Sequence, residues 1–236
     1  MSARGNVSIA MNNLGVQLLE TGKYSQALAA LKSALYKMTG YTAADPNNLI
    51  VAELFSKRRT VGEDSRRGIR CALEDSSFVY CHVFRIIPFS PEPRAFNFTS
   101  QETYARDAAI IMYNLAMVKH LNYMASSDHP EQSDSLSKAM YLYRTVQAIV
   151  ALEENKTLRD DPYFRLVMMA TCNNLGQICF SLGDFNTSSR CMADLAGLLS
   201  ATPDVCNDIQ LVSNEDMVGF FMNLSLMVTP TIAAAA

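Results

Sequence analysis

Residues 12–35 read NNLGVQLLETGKYSQALAALKSAL, and the four letters that open this stretch return at residues 173–176. In the first copy Met11, Leu14, Leu18 and Leu19 recur at helical spacing. After Glu20-Thr21-Gly22-Lys23 a second series follows, with Ala27, Leu28, Leu31, Ala34, Leu35 and Met38. The pattern predicts two helices joined by a tight turn. Gly22 suits the left-handed conformation that ends a helix. Gly15, inside the first helix, costs about 1 kcal/mol relative to alanine, which points to close approach of the second helix at that position.

The second copy, MATCNNLGQICFSLGDFNTSSRCMADLAGLL over residues 169–199, keeps the layout as well as the letters. Gly15 to Gly22 and Gly176 to Gly183 are both seven apart, and Tyr24 and Phe185 both stand two residues beyond the turn glycine. Two weaker copies follow the same Asn-Leu-small theme. Asn114-Leu115-Ala116 lies in AAIIMYNLAMVKHL, with a partner helix in SLSKAMYLYRTVQAIVAL from Ser135, and Asn223-Leu224-Ser225 lies in the last apolar segment. The leucines at 14, 115, 175 and 224 read as core positions, and Tyr141 and Tyr143 as surface positions of a second helix. The steps between these leucines are longer than a compact helix-hairpin unit of about 34 residues, so insertions separate the units.

The largest insertion, residues 40–103, changes character along its length. A helix is expected after Asp45-Pro46, carrying Leu49, Ile50, Leu54 and Phe55. The polar linker SKRRTVGEDSRRG follows, and then SSFVYCHVFRIIPFSPEP over 76–93, which reads as one short strand or an extended segment covering part of the helices.

The stretches 11–38 and 169–199 resemble tetratricopeptide (TPR) repeats, which carry leucine-glycine in the first helix, a Gly-x-aromatic turn and small residues in the second. The doubled asparagine is similar to the kinesin light chain type of repeat. The chain as a whole also resembles uncharacterised repeat proteins from diatom genomes, with their N-L-G/A helix and alanine-rich end. Departures are visible: Met11, Met112 and Cys172 stand where a tryptophan is usual, Ser188 replaces an alanine, and the closing prolines are missing or displaced. The resemblance implies an all-α fold, a TPR-like stack of antiparallel helix hairpins (an α-α superhelix). It would form a single domain over 1–236, with the irregular insertion 40–103. It also implies a concave groove lined by the first helices that binds a peptide or protein, so the expected function is a non-enzymatic scaffold or adaptor.

Asn13, Asn114, Asn174 and Asn223 occupy the same place in each copy, with Asn12, Asn173 and Gln177 extending the row. Asparagine is a mediocre helix residue whose amide both donates and accepts. The row therefore reads either as a device for holding the backbone of an extended peptide or as a solvated face with local hydrogen bonds. Positions where a chaperone-tail clamp would need cations carry Val16, Tyr113, Ala170 and Met117, so a hydrophobic or mixed peptide of unidentified origin fits better.

Other chemistry is thin. A net charge of −3 argues against bulk nucleic-acid binding. The basic residues of the linker, from Lys57 to Arg70, read as a solvated stretch, with nuclear import or RNA contact as alternatives. Six cysteines without a Cys-x-x-Cys pair, behind an N-terminus unlike a secretory signal, suggest reduced thiols in the cytoplasm. Cys81-His82 lacks both the ligand pairs of a zinc site and the third group of a thiol catalyst, and adjacent residues of a strand face opposite ways. Neither metal nor cofactor is expected; a cysteine-dependent enzyme is the distant rival reading. Residues 217–236 carry no charge and raise a membrane-tethered adaptor as an alternative. Pro230, however, leaves about 13 residues before it, roughly 20 Å of helix against a hydrocarbon core of about 30 Å, so a buried terminal helix and no membrane partner are expected.

Overall fold

The computed structural model describes residues 3–39, 78–86, 99–125, 131–152, 158, 160–201 and 213–228. The helix expected after Asp45-Pro46 and the basic linker lie outside these. The described residues form seven helices: α1 (Ala3–Glu20), α2 (Tyr24–Thr39), α3 (Ser100–Ala125), α4 (Glu131–Ala151), α5 (Pro162–Ser181), α6 (Phe185–Ser200) and α7 (Asn214–Val228). The fold is all-α, and adjacent helices pack in pairs.

Both predicted hairpins form, and by one mechanism. Gly22 and Gly183 have φ of +73° and +78°, the left-handed conformation that glycine adopts without penalty. That geometry lets Gly22 N–H reach Leu19 C=O at 2.9 Å and Lys23 N–H reach Leu18 C=O at 2.8 Å. In the second copy Gly183 bonds Phe180 at 3.0 Å and Asp184 bonds Cys179 at 2.8 Å. The last carbonyls of α1 and α5 are thereby satisfied as the chain reverses. Asp184 then caps α6 by accepting from Thr187 N–H at 3.1 Å. Other starts are equally explicit. Thr99 and Glu102 exchange bonds of 3.2 and 2.8 Å ahead of α3, and Asp161 with Pro162 opens α5.

The helices group into two compact units. The first contains α1, α2, α3, α4 up to Leu142, and residues 83–86. The second contains α4 from Tyr143, α5, α6, α7, and residues 78–82. Helix α4 and the segment 78–86 each contribute residues to both units.

In the first unit α2 buries Ala27, Ala30, Leu31, Ala34 and Leu35, a single stripe of the helix, against α1 and α3. Gly15 makes the α1–α2 approach possible: a Cβ there would lie 2.6 Å from Leu31 Cγ. In the second unit α5, α6 and α7 pack mutually, and a Cβ on Gly176 would run into the Met192 methyl group and lie 3.2 Å from Cys191 Cβ. Cys172, Cys179 and Leu175 are buried together, as expected of thiols standing in for aliphatic side chains.

Three expectations are corrected. Leu115 and Leu175 are core residues, but Leu14 is 45% exposed. Helix α7 is buried on one face only: Phe220, Asn223 and Met227 are covered, whereas Val218, Phe221, Met222 and Leu226 are exposed. Tyr143 is not a surface residue but fully buried, while Tyr141 is exposed. Among the described residues no helix is long and apolar enough to cross a membrane.

Candidate functional site

Residues 78–86 are extended but form no strand, since no ladder partner lies beside them among the described residues. Their hydrogen bonds go to the asparagine row instead. An extended residue turns its N–H and C=O to the same edge, and the next residue uses the opposite edge, so one edge is shared by alternate residues. The asparagines take that edge at 78, 80, 84 and 86.

In the second unit, Asn223 Oδ1 accepts from Phe78 N–H at 2.9 Å, and its Nδ2 donates to Phe78 C=O at 2.6 Å. Asn174 treats Tyr80 the same way, at 2.9 and 3.0 Å. In the first unit Asn114 holds Phe84 at 2.9 and 2.8 Å, and Asn13 holds Ile86 at 2.8 and 2.9 Å. Each carboxamide thus supplies the two bonds that a residue of a neighbouring strand would supply in a hydrogen-bonded pair.

The doubled asparagines divide the labour. Asn173 Nδ2 donates to Asn174 Oδ1 at 3.0 Å and to Phe78 C=O at 3.1 Å, while its Oδ1 accepts from Asn223 Nδ2 at 2.8 Å. Asn12 repeats each contact. It donates to Asn13 Oδ1 and to Phe84 C=O, both at 3.2 Å, and accepts from Asn114 Nδ2 at 3.0 Å. The triad Asn12, Asn13 and Asn114 on residues 84 and 86 is therefore equivalent, bond for bond, to Asn173, Asn174 and Asn223 on residues 78 and 80. All of these asparagines except the half-buried Asn13 are fully buried. Amides removed from water this completely are costly unless bonded, and the backbone of the extended segment satisfies them.

Gln177 departs from the row: its Nε2 donates to Ser181 Oγ at 3.3 Å, one turn along α5. Tyr143 belongs to the site although the sequence placed it outside, because its hydroxyl accepts from Asn174 Nδ2 at 3.2 Å beneath the Tyr80 clamp. Burial pushes the Tyr143 phenol up, against the hydrogen bond from Asn174. It stays a neutral partner.

Side chains of the clamped residues are held as firmly as the backbone. Phe78 meets Phe220 edge-on with ring centres 5.8 Å apart, and Tyr80 stacks on Phe220 at 5.3 Å. Gly219 lies directly under the Phe78 ring, where a Cβ would collide with it. In the first unit Phe84 packs edge-on against Tyr113 at 4.9 Å, and Ile86 is buried. Such aromatic pairs contribute about 0.5–1.5 kcal/mol beyond their buried area.

The residues between take other partners. His82 Nε2 lies 3.3 Å from Asp216 Oδ1, and the Cys81 thiol donates to Val79 C=O at 3.2 Å. The neighbouring thiol and imidazole are thus directed to different groups. Burial alone would raise the Asp216 carboxyl, but hydrogen bonds from His82 and Ser213 outweigh it and hold the group below the usual range. Arg85 pairs with Glu20 at 2.6 Å on the surface, a contact worth about 0–1 kcal/mol. Among the described residues no group of three or more His, Cys, Asp or Glu is placed to hold a metal ion.

No family model, no curated protein and no solved structure matches the chain.

Proposed function

We propose that this protein is a non-enzymatic scaffold or adaptor of TPR-like helix hairpins that binds an extended segment of another protein through its asparagine clamps. In the free protein residues 78–86 hold that place. One observation carries the reading: four equivalent asparagines each take both the N–H and the C=O of a residue in an extended chain. Those bonds read backbone, which every polypeptide has, so they suit a partner segment as well as the chain's own. The self-supplied segment acts as a competitor. A competitor carried on the same chain binds intramolecularly, at an effective concentration on the order of millimolar, so a partner must bind tightly, or be present at high local concentration, to replace it. The described cysteines are free thiols, in line with a cytoplasmic protein.

The test uses the full chain with Phe78, Tyr80, Phe84 and Ile86 all changed to serine, checked for helicity by circular dichroism, and a labelled peptide FVYCHVFRI added in trans. The proposal expects the peptide to bind this variant at least tenfold more tightly than the unaltered chain, and to lose binding when Asn114→Ala and Asn174→Ala are added. A folded variant that ignores the peptide would overturn it, and would leave residues 78–86 as a purely structural strap.

A further inference from the structure

We infer that the second-unit clamps select an aromatic-x-aromatic step in the segment they hold, with Gly219 and Phe220 as the residues that determine this preference. The inference rests on the peptide-binding reading above and adds to it the chemistry of the partner.

Backbone clamps alone have no sequence preference. Preference requires the side chains at the clamped positions to enter sites that reward one chemistry, and the second unit offers two such sites in tandem. At the first, Gly219 provides a bare patch of helix backbone. The Phe78 ring lies flat against it, in space that any other residue at 219 would fill with its Cβ. Phe220 supplies the wall, at 87° to the Phe78 ring. At the second site the same Phe220 ring turns its face to Tyr80, nearly parallel at 18°. One fully buried aromatic residue thus presents an edge-on geometry to one clamped position and a stacked geometry to the next. An aliphatic side chain could fill either volume but would forgo the ring–ring term. A charged side chain would be placed where Tyr80 is 2% exposed, at a desolvation cost, and an anionic one would also face the Asp216 carboxylate.

The first unit differs in a way that serves as an internal control. Phe84 meets Tyr113 edge-on, and the residue two further on is the aliphatic Ile86. The bond-for-bond equivalence of the asparagines therefore carries two different side-chain requirements, aromatic-x-aromatic and aromatic-x-aliphatic. The natural partner is accordingly an extended segment containing aromatic residues two apart, neutral at both, with the intervening residue less restricted.

The experiment titrates the tetra-serine chain with FVYCHVFRI and with peptides carrying alanine in place of Phe78, Tyr80, Cys81, Phe84 or Arg85. Alanine for Phe78 or Tyr80 is expected to weaken binding about tenfold each, and alanine for Cys81 or Arg85 less than threefold. In a Gly219→Ala receptor the penalty for alanine in place of Phe78 should shrink below threefold while that for Phe84, read in the first unit, is unchanged. A Phe220→Leu receptor should reduce the penalties at both Phe78 and Tyr80 and again spare Phe84. The constancy of the Phe84 penalty separates lost selectivity from lost folding. If alanine at Phe78 and Tyr80 costs less than threefold in the parent receptor, or if Gly219→Ala and Phe220→Leu leave the penalties unaltered, the inference fails while the scaffold proposal survives. If no peptide binds, both fall.

Discussion

The carboxamide of Asn223 straddles the backbone of Phe78, 145 residues away in sequence, accepting from its N–H and donating to its carbonyl. Asn174 does the same for Tyr80, and the two clamps share Asn173 as a brace. Within the second unit, α5, α7 and residues 78–80 are thereby tied together. A loss in any clamp should register in the stability of the unit that contains it.

Asn174→Ala removes both bonds to Tyr80 and the contact with Tyr143. Unsatisfied buried polar groups cost about 1–3 kcal/mol each, so a loss of about 2–4 kcal/mol is expected in urea denaturation. Asn13→Ala, at a half-buried site that water can reach, should cost about half as much. Equal effects at the two positions would count against burial as the reason the clamps matter.

The two helix-interior glycines should respond unequally to alanine. At Gly15 the new methyl meets Leu31 Cγ and Cδ2, a branch point with little freedom. At Gly176 its nearest neighbour is the terminal methyl of Met192, which can swing aside, leaving the milder contact with Cys191 Cβ at 3.2 Å. Overpacking of about 1–3 kcal/mol, partly offset by about 1 kcal/mol of helix propensity, is expected to leave Gly15→Ala clearly destabilised and Gly176→Ala less so. Paired thermal melts would show the ordering.

Lys32 should titrate early. Burial, and then the ammonium groups of Lys119 and Lys138, lower its pKa to about 8. A lysine depressed in the folded state binds fewer protons than the unfolded chain between about 8 and its ordinary value near 10.4, so this group's contribution to stability rises with pH across that window. NMR of reductively methylated lysines should find one resonance titrating near pH 8, moving upward in Lys138→Gln. A Lys32 resonance that titrates with the bulk lysines would refute this.

Thiol labelling should follow burial. The Cys172 and Cys191 thiols are pushed up to about 12 and about 11, burial being the main cause, and the opposing hydrogen bonds from Gln147 do not restore them. Alkylation at pH 8 followed by peptide mapping should modify the half-buried Cys81 well before either, because the thiolate is the reactive form. Labelling Cys81 should also loosen the second unit, since its backbone neighbour Tyr80 is clamped.

The hairpins were legible because their signals are local. Two glycines seven residues apart, one at a close helix approach and one at a left-handed turn, define a hairpin without reference to the rest of the chain. The asparagine row was legible as a row for the same reason. What it holds was not, because FVYCHVFRI carries β-branched and aromatic residues that suit any extended edge-bonded segment. Periodicity does not say whether the edge meets a strand or side chains. Tyr143 was placed on the surface because its role depends on Asn174, 31 residues on. Leu14 was misplaced because equivalence of sequence among repeats does not guarantee a neighbour on every side of each helix.

The clamps also set an order of events for the nascent chain. Asn13 precedes Ile86, the residue it holds, by 73 residues, while Asn114, Asn174 and Asn223 follow the residues they hold by 30, 94 and 145. Closing the longest of these loops costs about 1.4 kcal/mol more than closing the shortest, so the Phe84 anchor can set first and shorten the search for the others. Before Asn223 has been synthesised, Phe78 has only the bond from Asn173 to its carbonyl and lacks both bonds of its clamp. Until then Phe78 and Tyr80 also lack the Phe220 ring on which both pack, and a polypeptide of this kind has a window during translation in which it is most open to chaperones or to aggregation.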